Sequence, residues 1–237
     1  MGHLQTCCCT TFGGSCSVPS ASFQMCSLGL GAKHVTYTGA TDITLLVDSS
    51  TSVGSRNFNN TKKFVKRLAE RFLTAAKPSD DTVRLSVVQY SGRNQQKLEA
   101  QFEKNYTVIS DIIENMDYIN DATDVTAALS YVTNLYRRSA RSGAKKKVLI
   151  FSDGNSQGIT RSAIERAVQE AQQEGIEIYV LVAGTQINEP NVRLLVTEKS
   201  SDYNVAYGER HLFRVPDYQS LLRGVFYQTV SRRIAVD

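Results

Sequence analysis

The chain has 237 residues, 41% of them hydrophobic and 21% charged, which is enough apolar material for one α/β domain of ordinary size with a soluble surface. A formal net charge of +4 is far weaker than that of a dedicated nucleic-acid binder, so no nucleic-acid partner is expected. All five cysteines (Cys7, Cys8, Cys9, Cys16 and Cys26) lie near the start, so the body of the chain holds no disulfide; their crowding points to bridges to other chains or domains in an oxidising space.

Residues 1–41 are rich in Ser, Thr, Gly and Cys and lack an apolar period, which reads as a linker or tail, disordered in isolation. The opening string MGHLQTCCCTTFGG lacks the basic and apolar regions of a secretory signal, so a secreted chain of this kind is expected to be a piece of a longer one. No stretch approaches the roughly 18 apolar residues of a membrane span.

Apolar texture begins at Thr41, and residues 42–234 are expected to form the folded domain. Ile43 to Val47 read as a buried strand ending in the loop DSSTSVGS. Phe58, Phe64, Val65, Leu68, Phe72 and Leu73 then fall at helical spacing. Val83 to Tyr90 is a second buried strand and Leu98 to Phe102 a weaker one, suited to a sheet edge. Ile109, Ile112, Ile113 and Met116 mark a helix, and Val125, Ala128, Leu129, Val132, Leu135 and Tyr136 another, with Thr123 or Asp124 placed to cap it and Asp124 preferred. The strand Lys147 to Phe151 runs into Ser152-Asp153-Gly154; a helix from Ser162 to Glu174 follows, capped by Thr160 and stopped by Gly175. Ile176 to Val182 is a strand, Pro190 opens a short helix, and His211 to Val215 is the last strand. Tyr218, Leu221, Leu222, Val225 and Phe226 predict the closing helix. This alternation predicts an α/β, doubly wound, mostly parallel sheet with one antiparallel edge strand and helices on both faces. In such sheets a ligand site lies beyond the carboxyl ends of central strands.

Three loops at those ends carry oxygen-bearing side chains: Asp48-Ser49-Ser50-Thr51-Ser52, Asn120 to Asp124, and Ser152-Asp153-Gly154. In an extended segment Asp48, Ser50 and Ser52 share one side. A carboxylate and two hydroxyls, joined by Asp153, form a set of hard oxygens without His or Cys, which suits Mg²⁺, with Mn²⁺ or Ca²⁺ also accommodated. An open coordination position on such an ion would attract an acidic side chain of a partner. Taken alone, the D-x-S-x-S string is more often turn and cap chemistry; its place directly after a buried strand raises its weight. The basic run Lys145-Lys146-Lys147, after Arg137, Arg138 and Arg141, reads as a solvated helix end and loop, or else as a patch for acidic glycans or matrix partners.

The order strand–Asp48-x-Ser50-x-Ser52, Thr123, then Phe151-Ser152-Asp153-Gly154 resembles the metal-ion-dependent adhesion site of von Willebrand factor A domains, over residues 41 to 234. Within that family, VVQYSG, NDATDV, FSDGNSQG and HLFRVPDYQSLLRGVF look like the A domains of microfibrillar, type VI-like collagen chains. The resemblance implies direct hydroxyl ligands from Ser50, Ser52 and Thr123, and mainly water-mediated carboxylates from Asp48 and Asp153. It also implies secretion to the extracellular matrix and association with other collagen chains, matrix proteins or cell-surface receptors, in a hetero-oligomer of the longer chain. Asp121-Ala122 stands before Thr123 where relatives often have Gly-rich sequence, so the Thr123 loop is the weakest part of the match. An integrin-type receptor domain with the same metal site is the alternative. An enzyme is not expected: no Gly-rich phosphate loop is present, Ser50 stands where a phosphotransferase pattern wants a second Asp, and His3, His34 and His211 do not accompany the carboxylates. Asn59 and Asn105 head glycosylation sequons, and Asn105, leading into a helix, is expected to be exposed.

Overall fold

A computed structural model of the protein describes residues 39–74, 83–156, 158–197 and 203–236. All five cysteines and nearly all of the expected 1–41 linker lie outside the described residues.

The strands are β1 (Thr41–Asp48), β2 (Val83–Tyr90), β3 (Gln96–Glu103), β4 (Lys145–Phe151), β5 (Ile176–Ala183) and β6 (Leu212–Val215). They form one sheet in the order β3-β2-β1-β4-β5-β6. Every pairing is parallel except β2–β3, so the weak 98–102 segment is the antiparallel edge. The helices are α1 (Ser55–Thr74), α2 (Tyr106–Glu114), α3 (Val125–Ser139), α4 (Arg161–Gln173), α5 (Glu189–Leu195), α6 (Val205–His211) and α7 (Gly224–Val236).

Strand residues alternate between two cores, one on each face of the sheet. Ile43, Leu45 and Val47 of β1 join the cluster that includes Phe64, Leu68 and Phe72 of α1 and Val230 and Ile234 of α7. Leu46 joins the opposite cluster with Leu129, Val132 and Tyr136 of α3 and Ile164 and Val168 of α4. Every β1 residue is buried, because a central parallel strand is covered on both sides; this explains its unbroken apolar run. At the amino end of β1 the buried Asp42 carboxylate is gripped by Arg84 (2.7 Å) and Arg141 (2.8 Å). Burial alone would raise its pKa, but the bonds and charges of the two arginines outweigh that and hold it below the usual value.

Three expectations need correction. The apolar residues from Tyr218 to Phe226 do not make one helix: Ser220–Leu222 is a 3₁₀ turn, the helix starts at Gly224, and its buried residues include Val230 and Ile234. Val225 is 77% exposed. Helix α6 was not foreseen, and it takes His211 from the last strand. The lysine run 145–147 is neither helix end nor loop but the start of β4. Lys147 is buried, donating from Nζ to Ile234 O (2.6 Å) and lying 3.3 Å from Glu177 Oε2, and Lys146 donates to Glu174 O (2.9 Å).

Candidate metal centre

Parallel pairing puts the carboxyl ends of β1 and β4 side by side, so their terminal residues open on the same end of the sheet. Asp48 closes β1. Its Oδ1 accepts the backbone N–H of Ser50 (2.8 Å), which turns the chain back over the carboxylate. Ser50 and Ser52 hydroxyls then share a hydrogen bond of 3.0 Å. The segment is therefore a turn, closed by Val53 N–H to Ser50 O (3.1 Å), and not the extended strand that the i, i+2, i+4 spacing assumed. The turn still gathers the three side chains.

Thr123 enters from the loop before α3. That loop is docked on the first by a parallel bridge between Ser50 and Asp121 and by Thr51 N–H to Asp121 O (2.8 Å). Asn120 has φ +61°, a left-handed conformation that Asn tolerates better than most non-glycine residues. Ser91 fixes the rest: its hydroxyl donates to Ala122 O (2.7 Å), its carbonyl accepts Asp124 N–H (2.9 Å), and Asp124 caps α3 at Ala127 N (2.9 Å). Asp124 is thus a cap, as expected.

Asp153 follows β4. Its Oδ1 accepts Asn155 N–H (2.8 Å) and its carbonyl accepts Asn188 N–H (2.9 Å). Gly154 has φ +76°, and an added Cβ would stand 2.7 Å from Asn188 O and 2.9 Å from Val192 Cγ2. Only glycine fits there, which is the physical content of the Asp-Gly pair.

Ser52, Thr123 and Asp153 line one open cleft of about 1110 Å³ with Asp121, Asn155, Asp217 and Tyr218. Asp48 is 4% exposed and lines a small hollow that shares Ala183 and Tyr218 with this cleft. Burial pushes the Asp48 carboxyl up to about 7 despite its bonds from Ser50 and Tyr90, and the nearby Asp153 charge raises it further. The Tyr218 hydroxyl is also raised, by burial and then by the charges of Asp48 and Asp153. Among the described residues no Lys, Arg or His forms an ion pair with Asp48 or Asp153. Nor does any group of three or more His, Cys, Asp or Glu come together. A buried carboxylate without a positive partner, among hydroxyls and beside a second carboxylate, fits a hard divalent cation.

Sequence reasoning missed the supports of this arrangement. Tyr90, at the end of β2, donates to Phe151 O (2.7 Å) and stands 3.3 Å from Asp48 Oδ2. The Ser49 hydroxyl accepts from Gln89 Nε2 (2.6 Å) and Ile119 N–H (2.9 Å), and Tyr118 donates to Ser50 O (2.7 Å). The legible signal was polar residues at the ends of otherwise apolar strands: Gln89, Tyr90 and Ser91 together.

The glycosylation candidates are both exposed. Asn105 caps α2, its side chain accepting Thr107 N–H (2.9 Å), and Asn59 lies in α1. Among the described residues no helix is long and apolar enough to cross a membrane.

A sheet of this order, with a D-x-S-x-S loop, a threonine loop and an Asp-Gly loop at one end, defines a von Willebrand factor type A domain. The family model of that description matches residues 42–228, and the chain belongs to this family. Among its relatives, the collagen alpha-1(VI) chain of Gallus gallus is 72% identical over 203 residues, covering 86% of this chain and 20% of the collagen chain. The collagen alpha-1(VI) chain of Homo sapiens is 60% identical over 207 residues, covering 85% and 20%. The chain spans about a fifth of the length of these relatives, which are structural proteins of the secreted extracellular matrix and not enzymes. Among solved structures, proximal thread matrix protein 1 from the mussel byssus superposes with a TM-score of 0.67 at 18% identity, covering 84% of this chain and 49% of that one. A second structure of that protein, described as having a zinc-occupied MIDAS motif, gives 0.65 at 19% identity, covering 85% and 48%. These likenesses show the fold.

Proposed function

We propose that this domain is an adhesion and assembly module of a collagen chain of the type VI kind, secreted into the extracellular matrix, and that it recognises an acidic side chain of a partner through a divalent metal. One observation carries the metal: the Asp48 carboxylate is buried without a cationic partner and within reach of the charge of Asp153, which lines the cleft with Ser52 and Thr123. Ser50, Ser52 and Thr123 would hold the ion through neutral oxygens, and Asp48 and Asp153 would hold it mainly through water. Such a set leaves the ion, Mg²⁺ or Mn²⁺ in preference to Ca²⁺, electrophilic toward a partner carboxylate. No bond is broken in this role. The cleft is open and polar, as a protein-binding site requires, and the similarity to collagen chains supports chain association and contact with other matrix proteins. The zinc seen in the mussel protein's site makes Zn²⁺ a necessary competitor in any test.

The experiment is calorimetric titration of the chelated domain with Mg²⁺, Mn²⁺, Ca²⁺ and Zn²⁺, followed by partner pull-down from the other collagen chains with and without EDTA. One-site binding that Ser50→Ala and Thr123→Ala each weaken about tenfold or more supports the site. Absence of binding by all four ions overturns it. A partner held equally well in EDTA overturns metal-bridged recognition.

A further inference from the structure

We propose that one side of α1, built from Lys63, Arg67 and Arg71 and closed by Tyr227 of α7, is a binding site for a sulfated polysaccharide. This site is separate from the metal centre and stands or falls independently of it.

Helix α1 carries Arg56, Lys62, Lys63, Lys66, Arg67 and Arg71 against the single acidic Glu70. Lys63, Arg67 and Arg71 follow at intervals of four, which sets them along one side of the helix over about 12 Å. Elsewhere many basic side chains are neutralised by carboxylates: Lys66 by Glu114, Arg137 by Glu174, Arg161 by Glu165, and Arg193 and Arg214 by Glu189. Arg67 and Arg71 are not. Among the described residues each is held by a neutral acceptor, Arg67 by Leu222 O (2.7 Å) and Arg71 by Ser231 Oγ (2.8 Å). Both guanidinium groups stand over the Tyr227 ring, at 5.9 and 5.7 Å from its centre. Together with Glu70, Thr74 and Gly224 these side chains line a cleft of about 580 Å³.

The guanidinium planes are fixed in place before a ligand arrives, so less side-chain freedom is lost on binding. Their charge is also uncompensated by a carboxylate ion pair, so it remains available to an external anion. A guanidinium presents a fork of donors that matches the paired oxygens of a sulfate or carboxylate. A linear run of positive charge on an open groove suits a linear polyanion better than a compact one. In the matrix the abundant polyanion of that form is a sulfated polysaccharide. The sequence pointed instead to the lysine run 145–147, of which Lys147 is buried in the fold.

The test uses the intact chain in EDTA, with a size-defined heparin oligosaccharide as probe and calorimetry or fluorescence anisotropy as readout. Arg67→Gln with Arg71→Gln should weaken binding at least about tenfold and reduce its dependence on salt. The control, Arg138→Gln with Arg166→Gln, removes equal charge elsewhere and should change binding less than about twofold. Glu70→Gln should strengthen it. Equal losses in both double variants would reduce the effect to net charge and overturn the site, as would no loss in either. Equal affinity for poly-glutamate would assign the cleft to acidic proteins and overturn the polysaccharide reading. Binding that needs Mg²⁺ would assign the sulfate to the metal centre and overturn the α1 site. If circular dichroism shows the double variant unfolded, Lys63→Gln at its exposed position tests the same stripe, with a loss of about threefold expected and no loss counting against it.

Discussion

Replacing Asp48 by asparagine should stabilise the metal-free domain while abolishing its response to metal. In the fold the carboxyl is moved from an ordinary value of 3.8 to about 7, first by burial and then by Asp153. At about 1.4 kcal/mol per tenfold change in proton affinity, ionising Asp48 in the absence of a cation costs roughly 4 kcal/mol. The sign follows from proton counting. Below pH 3.8 both folded and unfolded forms hold the proton and no penalty exists. Between 3.8 and 7 the folded form retains a proton that the unfolded chain has lost, so stability falls as pH rises, and the full penalty applies above 7. An amide in place of the Asp48 carboxyl would keep the acceptor for the Ser50 N–H and could not ionise. In EDTA at pH 8, urea denaturation should therefore find D48N more stable than the parent by up to about 4 kcal/mol, with the difference vanishing near pH 4. That corresponds to a Tm rise of up to roughly 8–16 °C for a domain of this size. Millimolar Mg²⁺ should raise the parent's Tm and leave the variant's unchanged. A metal-free D48N less stable than the parent at pH 8, or one that still gains from Mg²⁺, would refute the reasoning.

Three further outcomes are expected. Burial would raise the Glu177 carboxyl, but its bond with His211 Nε2 (2.8 Å) and the facing Lys147 outweigh that and lower it from 4.5 to about 2. Its contribution is complete above pH 4.5 and is lost as pH falls from 4.5 toward 2; it is worth at most about 3 kcal/mol, less some solvent screening, so Glu177→Gln should flatten the acid limb of a stability–pH curve. Gly154→Ala must both clear Asn188 O and adopt a positive φ, so it should lose about 2 kcal/mol or more in denaturation and weaken Mg²⁺ binding through displacement of Asp153. In a chain expressed through the secretory pathway, Asn105→Gln and Asn59→Gln should each remove one glycan by intact mass, and Asn105→Gln should also lose about 1 kcal/mol as the α2 cap is removed.

The layout of the domain is written in the sequence, because a parallel sheet covered on both faces leaves unmistakable apolar runs. Residues 43–47 and 148–151 are buried to one side or the other at every position, and the helices between them carry caps, Asp124 and Thr160, that local chemistry makes readable. Asp48 and Asp153 were legible as well, as carboxylates at or just past the ends of buried strands. How the loops that carry them are arranged was decided only by tertiary contacts. The 48–52 turn closes on its own local bonds, but its docking on the Thr123 loop through Asp121 and the bracing by Tyr90 and Ser91 act across separations that no local pattern records. The same holds for charge. The run 145–147 is the densest basic stretch in the sequence, yet Lys147 is buried and Lys146 donates to a backbone carbonyl, while Arg67 and Arg71, one turn apart on α1, meet Tyr227 only when α7 packs beside them. Periodicity reports what each residue avoids, namely water or the core; which partner it meets depends on contacts between distant segments, and those exist only when the chain is folded.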